Sequence, residues 1–359
     1  MNEFEACCAR TLDVFNTMKK ILLVRTDRLG DVILTLPMLS ALHACFPDAT
    51  ITMLLSRYTG QIVEGNPLVH EILWYDHDGQ LVPFRKMCGE ITKRNFDAAI
   101  VVHPRPRLAW LLYRSGIPVR VGTKRVFEHR KDAKRHEVDY NLRLLEALDC
   151  KSTREPEFPI AVPREADDTV VMLYRSLGIT DDDLVVILHP GSGGSAREWP
   201  AEYFGILGAR LVEHPHVRVL VTGGKGEERK VAEILVATKG AAVPLVGKLT
   251  VKELAALFRR AHLFVGNSTG PLHLAAAMGT PVIGLYPQAK AMSERRWGPY
   301  TKKKEVFVPA MPASCEKCTK LQGERCLCMA SISVEDVFAA ASRFLEKRRK
   351  PCTRVNANA

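Results

Sequence analysis

No apolar run in the 359 residues reaches the ~18 to 20 that a membrane-spanning helix needs. The opening stretch "MNEFEACCARTLDVFNT" has early acids and no cationic segment leading into an apolar one, so it does not read as a secretory signal. A cytoplasmic protein is therefore expected. Aromatic residues are scarce, 7% of the chain, and are not interleaved with the basic runs. Stacking on single strands is unsupported, and no nucleic-acid partner is expected. No GxGxxG follows any strand-like run, which argues against an oxidoreductase, and "TGGKGEE" at Thr222–Glu228 lacks the GK[ST] ending of a P-loop. The ten cysteines, scattered through a chain without a signal, read as reduced thiols and not as a disulfide framework. The tightest group, Cys315, Cys318, Cys326 and Cys328, fits zinc poorly because its last two members are one residue apart.

What is present is ample core, 47% hydrophobic against 25% charged residues, in a chain long enough for two domains. A formal net charge of +11 implies an anionic partner: nucleic acid, acidic lipid or a phosphorylated substrate. Met18 directly precedes "KKILLV", so residues 1–17 read as an extension. From there strand-like runs ("KKILLV", "TITMLL", "HEILWY", "FDAAIVV", "VRVGT") alternate with helical stretches. The pattern resumes with "LVVILHP", "VRVLVTG", "AAVPLVG", "HLFVGN" and "PVIGLYP", including a helix "TVKELAALFRRA" opened by a Thr250/Glu253 capping box. Such alternation predicts α/β architecture with parallel, doubly wound sheets. The proline-rich, acidic "EPEFPIAVPREADD" reads as a linker, giving domains of residues 18–165 and 166–359 that face a central cleft. The final helical stretch is expected to pack back on the first domain.

Three loops carry candidate chemistry. "RTDRLGD" follows the first strand with one glycine, Gly30, and a carboxylate, Asp31, where a pyrophosphate would otherwise lie. Asp31 would repel a phosphate and suits a cation or the acceptance of a proton. "PGSGGSAREWP" offers Ser192, Gly193 and Arg197 as a phosphate cradle, since glycine lets backbone N–H groups approach an anion and arginine adds a charged fork. "GNSTGPLH" opens a helix, so the amides of Ser268, Thr269 and Gly270 would face the same anion. His273 could reach it too, or pack between domains. Glu227 could accept a ribose hydroxyl, although the start of a surface helix explains it as well. The acids of "DHD" (Asp76 to Asp78) and "DDD" (Asp181 to Asp183) sit where turns need them, so no metal site is expected. Arg105 and Arg107 in "HPRPR" suit acceptor phosphates or carboxylates, or only a proline-stiffened loop.

Taken together, "KKILLVRTDRLGDVILTLPML", "HPGSGGSAREWP", "GNSTGPLHLAAAMGTPVIGLYP" and "RRWGPY" resemble glycosyltransferase family 9, the ADP-heptose:lipopolysaccharide heptosyltransferases, over about residues 18–345. The resemblance implies the GT-B fold, two Rossmann-like domains with an ADP-heptose donor on the second. A lipid A–core acceptor at the cytoplasmic face of the inner membrane would be met by the first, with Arg28, Arg105 and Arg107 as acceptor contacts. It further implies an inverting reaction with no metal or cofactor, a monomer, Asp31 as the catalytic carboxylate and Arg197 facing the diphosphate. Ser268 departs from the family, where some members have aspartate, which leaves the sugar and the core position open. Asp31 at a helix N-terminus is expected to have a lowered pKa. A non-catalytic nucleotide-sugar- or anion-binding protein of the same fold would keep the glycine loops without needing Asp31, and a family 9 transferase for another sugar or acceptor also fits.

Overall fold

The computed structural model describes residues 18–77, 79–122, 133–151, 155–310 and 326–349; the 1–17 extension, Asp78, Cys315 and Cys318 lie outside them. Two compact units meet at Pro163 and Arg164. The linker's acidic end is already helical, because its apolar residues Ala166 and Val170 recur at i, i+4 and are buried.

In the first unit, β1 (Lys20–Arg25), β2 (Thr50–Leu55), β3 (Glu71–Trp74), β6 (Ala98–Val101) and β7 (Val119–Val121) form a sheet of order β3-β2-β1-β6-β7, parallel throughout. A hairpin of β4 (Asp76–His77) and β5 (Gln80–Leu81) is inserted after β3. The main helices are α1 (Leu29–Ile33), α2 (Pro37–Cys45), α3 (Phe84–Arg94), α4 (Pro106–Arg114) and α5 (Glu137–Arg143). β1 is apolar from Ile21 to Val24 and buried there because both faces of a parallel sheet are covered. Its partners β2 and β6 run off to opposite sides, so the crevice of this sheet opens at the C-terminal end of β1.

Two of the expected thiols are paired. Cys45, at the end of α2, and Cys150 form a disulfide across 105 residues of sequence, with their Cα atoms 5.7 Å apart. Only the fold brings them within bridging distance, so their spacing gave no signal.

The second unit has the order β10-β9-β8-β11-β12-β13, built from β8 (Leu184–His189), β9 (Val217–Val221), β10 (Val243–Pro244), β11 (Leu263–Asn267), β12 (Val282–Leu285) and β13 (Lys304–Phe307). It is parallel throughout, and its switch point lies at β8, between β9 and β11. Its helices include α6 (Arg164–Ser176), α7 (Ala201–Val212), α8 (Glu228–Ala237), α9 (Val251–Arg260), α10 (Gly270–Ala277) and α11 (Val334–Arg349). The expected capping box opens α9. In the final helix, Val337, Ala340, Ala341 and Leu345 of α11 lie in the hydrophobic core of the second unit, with Leu211 of α7 and Val265 of β11.

Candidate active site

The loop after β1 is organised by a residue that reads in the sequence as a strand end. Arg25 is 1% exposed, and its guanidinium meets three carboxylates: Nε donates to Asp27 Oδ1 at 2.6 Å, Nη2 donates to Asp31 Oδ1, and Nη1 donates to Glu137 Oε1 at 3.4 Å. Glu137, also buried, starts α5, whose Asn141 donates to the carbonyl of Leu34 just past α1. Asp31 is thus held by its own helix and by Arg25, whose guanidinium Glu137, 112 positions further on, helps to fix.

The expected lowering of the Asp31 pKa is overturned. Burial comes first among the causes, and with the nearby Asp27 and Glu137 carboxylates it outweighs Arg25, raising the carboxyl from 3.8 to about 6. The N-terminus of a five-residue helix is a weak counterweight to the loss of water. A carboxylate of this kind accepts a proton near neutral pH, which is the property of a general base.

The acceptor arginines separate. Arg28 and Arg105 are exposed, as the N-caps of α1 and α4. Arg107 turns inward instead: it donates to the carbonyl of Val82 at 2.7 Å and lies over the rings of Tyr75 and Phe84. It anchors α4 to the chain after the β4–β5 hairpin, a packing role.

In the second unit the two glycine loops follow the adjacent strands β8 and β11 and are stapled together. The side chain of Asn267, fully buried at the end of β11, accepts from Trp199 N at 2.9 Å and donates to Pro190 O at 2.7 Å. Ser195 Oγ donates to Ser268 O at 3.1 Å. Asn267 was not singled out in the sequence, where it reads as a strand terminus.

Several groups assigned to the cradle are occupied internally. Ser192 Oγ donates to Ala196 O at 3.0 Å, and Ser268 N donates to Leu285 O at 3.2 Å. The Ser268 side chain is hydrogen-bonded to Tyr286. Gly193 N donates to Glu227 Oε1 at 3.1 Å, and Gly224 N to Glu227 Oε2 at 2.7 Å. Glu227 is therefore no surface helix start: it is 7% exposed and clamps the loop after β8 to the loop after β9. Gly191 leaves room for this clamp, because a Cβ would lie 1.8 Å from Glu227 Oε1 and displace the carboxylate. Behind the clamp, His189 Nδ1 meets Thr222 Oγ1 at 2.9 Å, and burial lowers the imidazole pKa, keeping it neutral.

The open end of this site is the start of α10. Thr269 is its N-cap, 4% exposed, and its hydroxyl has no hydrogen-bond partner among the described residues. The first amides of a helix lack intrahelical acceptors, and Pro271 has none to lose, so the N–H groups of Gly270 and Leu272 and the Thr269 hydroxyl together suit an anion. Arg197 is half-buried in the stapled loop, and His273 is buried in the first turns of α10.

Residues 84–325 match the sequence profile of glycosyltransferase family 9 (heptosyltransferase). Over 345 residues, 91% of this chain and 97% of the relative, the sequence is 28% identical to a Haemophilus influenzae protein named no more closely than a glycosyltransferase. Over 341 residues, 88% and 95% of the two chains, it is 27% identical to lipopolysaccharide heptosyltransferase 3 of Escherichia coli. The structure of E. coli ADP-heptose LPS heptosyltransferase II superposes with a TM-score of 0.73 at 18% identity, covering 92% of this chain and 100% of that one. Two Rossmann-like units of this topology are those of the GT-B glycosyltransferases, and the chain belongs to glycosyltransferase family 9, the heptosyltransferases.

Proposed function

We propose that this transferase moves a heptose from ADP-heptose to the inner core of lipopolysaccharide, with inversion and without a metal ion. The observation that carries the reading is Asp31: a partly buried carboxylate, bonded to Arg25 at the switch point of the first sheet, with its pKa raised to about 6. The acceptor sugar's hydroxyl oxygen attacks the anomeric carbon as Asp31 takes its proton, and the bond from that carbon to the departing ADP breaks on the opposite side. Arg28 and Arg105 meet the acceptor's anionic groups. The charge that develops on the diphosphate is taken up by the N–H groups of Gly270 and Leu272, the Thr269 hydroxyl and Arg197, fixed groups that need not reorganise during the step. Glu227, His189 and Asn267 do not touch the phosphates in this reading; they hold the loops that do. The acceptor lies in the cytoplasmic leaflet of the inner membrane, and the enzyme works there as a peripheral protein.

The test is turnover of ADP-heptose with heptose-deficient lipopolysaccharide, product read by mass spectrometry. Asp31→Asn is expected to lose ~10²-fold or more in kcat while calorimetry gives the parent's affinity for ADP. In the parent, kcat/KM should rise with pH and level off above about 6. Full turnover by the Asn variant would remove Asp31 from the mechanism, whereas a parent that binds ADP without turnover would favour a non-catalytic nucleotide-sugar-binding protein.

A further inference from the structure

The first unit has a helix whose solvent face is not explained by the transfer chemistry. Along α4, Leu108, Leu111 and Leu112 are buried in the core, as an amphipathic helix requires. The opposite face, at i, i+4, i+7 and i+8, is Pro106, Trp110, Tyr113 and Arg114, all exposed. Charges ordinarily fill such a face. Here two large aromatics fill it, Trp110 at 56% and Tyr113 at 58% exposure. Their rings stack at 5.5 Å between centroids, and Arg120 of β7 places its guanidinium 5.5 Å from the Tyr113 ring.

Aromatic rings with polar tips, ringed by arginines whose stems are apolar and whose heads seek anions, match the headgroup layer of a bilayer. We propose that this face of α4 docks the enzyme on an anionic lipid surface, with Trp110 and Tyr113 entering the headgroup region and the exposed Arg114 meeting lipid phosphates. Its purpose rests on the reading of a lipid-anchored acceptor, though its geometry does not. Charge complementarity selects this occupant. A second copy meeting the face about a two-fold axis would set Arg114 and Arg120 against their own counterparts. Bases of a nucleic acid would need free ring faces, and these rings are engaged with each other and with Arg120. Arg105, at the N-terminus of the same helix, places a candidate acceptor contact beside the lipid from which that acceptor projects.

The experiment is co-sedimentation of the full chain with phosphatidylglycerol vesicles and with phosphatidylcholine vesicles. The parent should partition onto the anionic vesicles, less so as salt rises, and only weakly onto the zwitterionic ones. Trp110→Ser/Tyr113→Ser should lower the partition coefficient at least about tenfold, and Arg114→Glu about fivefold or more, with circular dichroism unchanged. Turnover of a deacylated, soluble acceptor should be that of the parent. Absence of binding to phosphatidylglycerol, or binding by the aromatic variant equal to the parent's, overturns the proposal. So does a parent dimer in sedimentation velocity that the aromatic variant abolishes, which would make the face a contact between copies. If the heptose transfer itself is wrong, the soluble-acceptor assay fails while the vesicle result stands, so the two readings fail separately.

Discussion

Arg25 is the residue on which the first site turns. One buried guanidinium serves three carboxylates, and an ion cluster of this kind is costly to form and costlier to break. Arg25→Met should therefore destabilise the protein by about 3–5 kcal/mol at pH 8, read by denaturant titration. In whatever fraction stays folded, the lost cation leaves Asp31 harder to ionise, so the rising limb of kcat/KM should move above pH 6. A limb that stays in place would confine Arg25 to the fold. The sign for stability is opposite to that of an ordinary salt-bridged aspartate. Because the folded pKa of Asp31 lies above its ordinary value, the stability it confers is full below pH 3.8 and is lost as pH rises through about 6. Asp31→Asn should accordingly gain in Tm relative to the parent between pH 4 and pH 7, a group kept for chemistry at some expense to the fold. In the sequence, the neighbours of Asp31 mark it as suited to a cation or a proton, and only the family resemblance makes it the candidate base. Its raised pKa was not legible, since that depends on burial and on Glu137, which lies 112 positions from Arg25.

At the scale of elements, the strands were legible from their apolar runs, and the two glycine loops from composition. What holds the loops was not. Asn267 and Glu227 act through contacts that cross 68 and 34 positions, and a fixed side-chain role at that range leaves no local pattern. β13 and the β4–β5 hairpin also passed unrecognised, the latter because its strands are two residues each and too short for alternation to register. The loops give a paired prediction. Thr269→Val removes a hydroxyl that bonds nothing among the described residues, so Tm should hold while ADP affinity falls by about 0.5 to 1.5 kcal/mol in calorimetry. Gly191→Ala drives a methyl into the Glu227 carboxylate, releasing the amides of Gly193 and Gly224, and should lower Tm and ADP affinity together. Equal effects of the two substitutions on Tm would mean that the clamp does not hold the loops.

For the whole molecule, the net charge of +11 forecast an anionic partner without saying which. In the readings proposed above, the start of α10 and the aromatic face of α4 give that charge two separate destinations, a diphosphate and a lipid surface. The division into two units was legible in the proline-rich linker, whereas the Cys45–Cys150 cross-link was not. The Cys45–Cys150 bond encloses β2, β3, β6 and β7, most of the first sheet. A chain so joined behaves under tension as a short thread carrying a closed ring. Pulled by its two ends in an optical trap, the oxidised protein can pay out only the residues outside that ring. Reduction should lengthen the fully unfolded chain by roughly 350 Å, the reach of 105 residues at about 3.3–3.6 Å each.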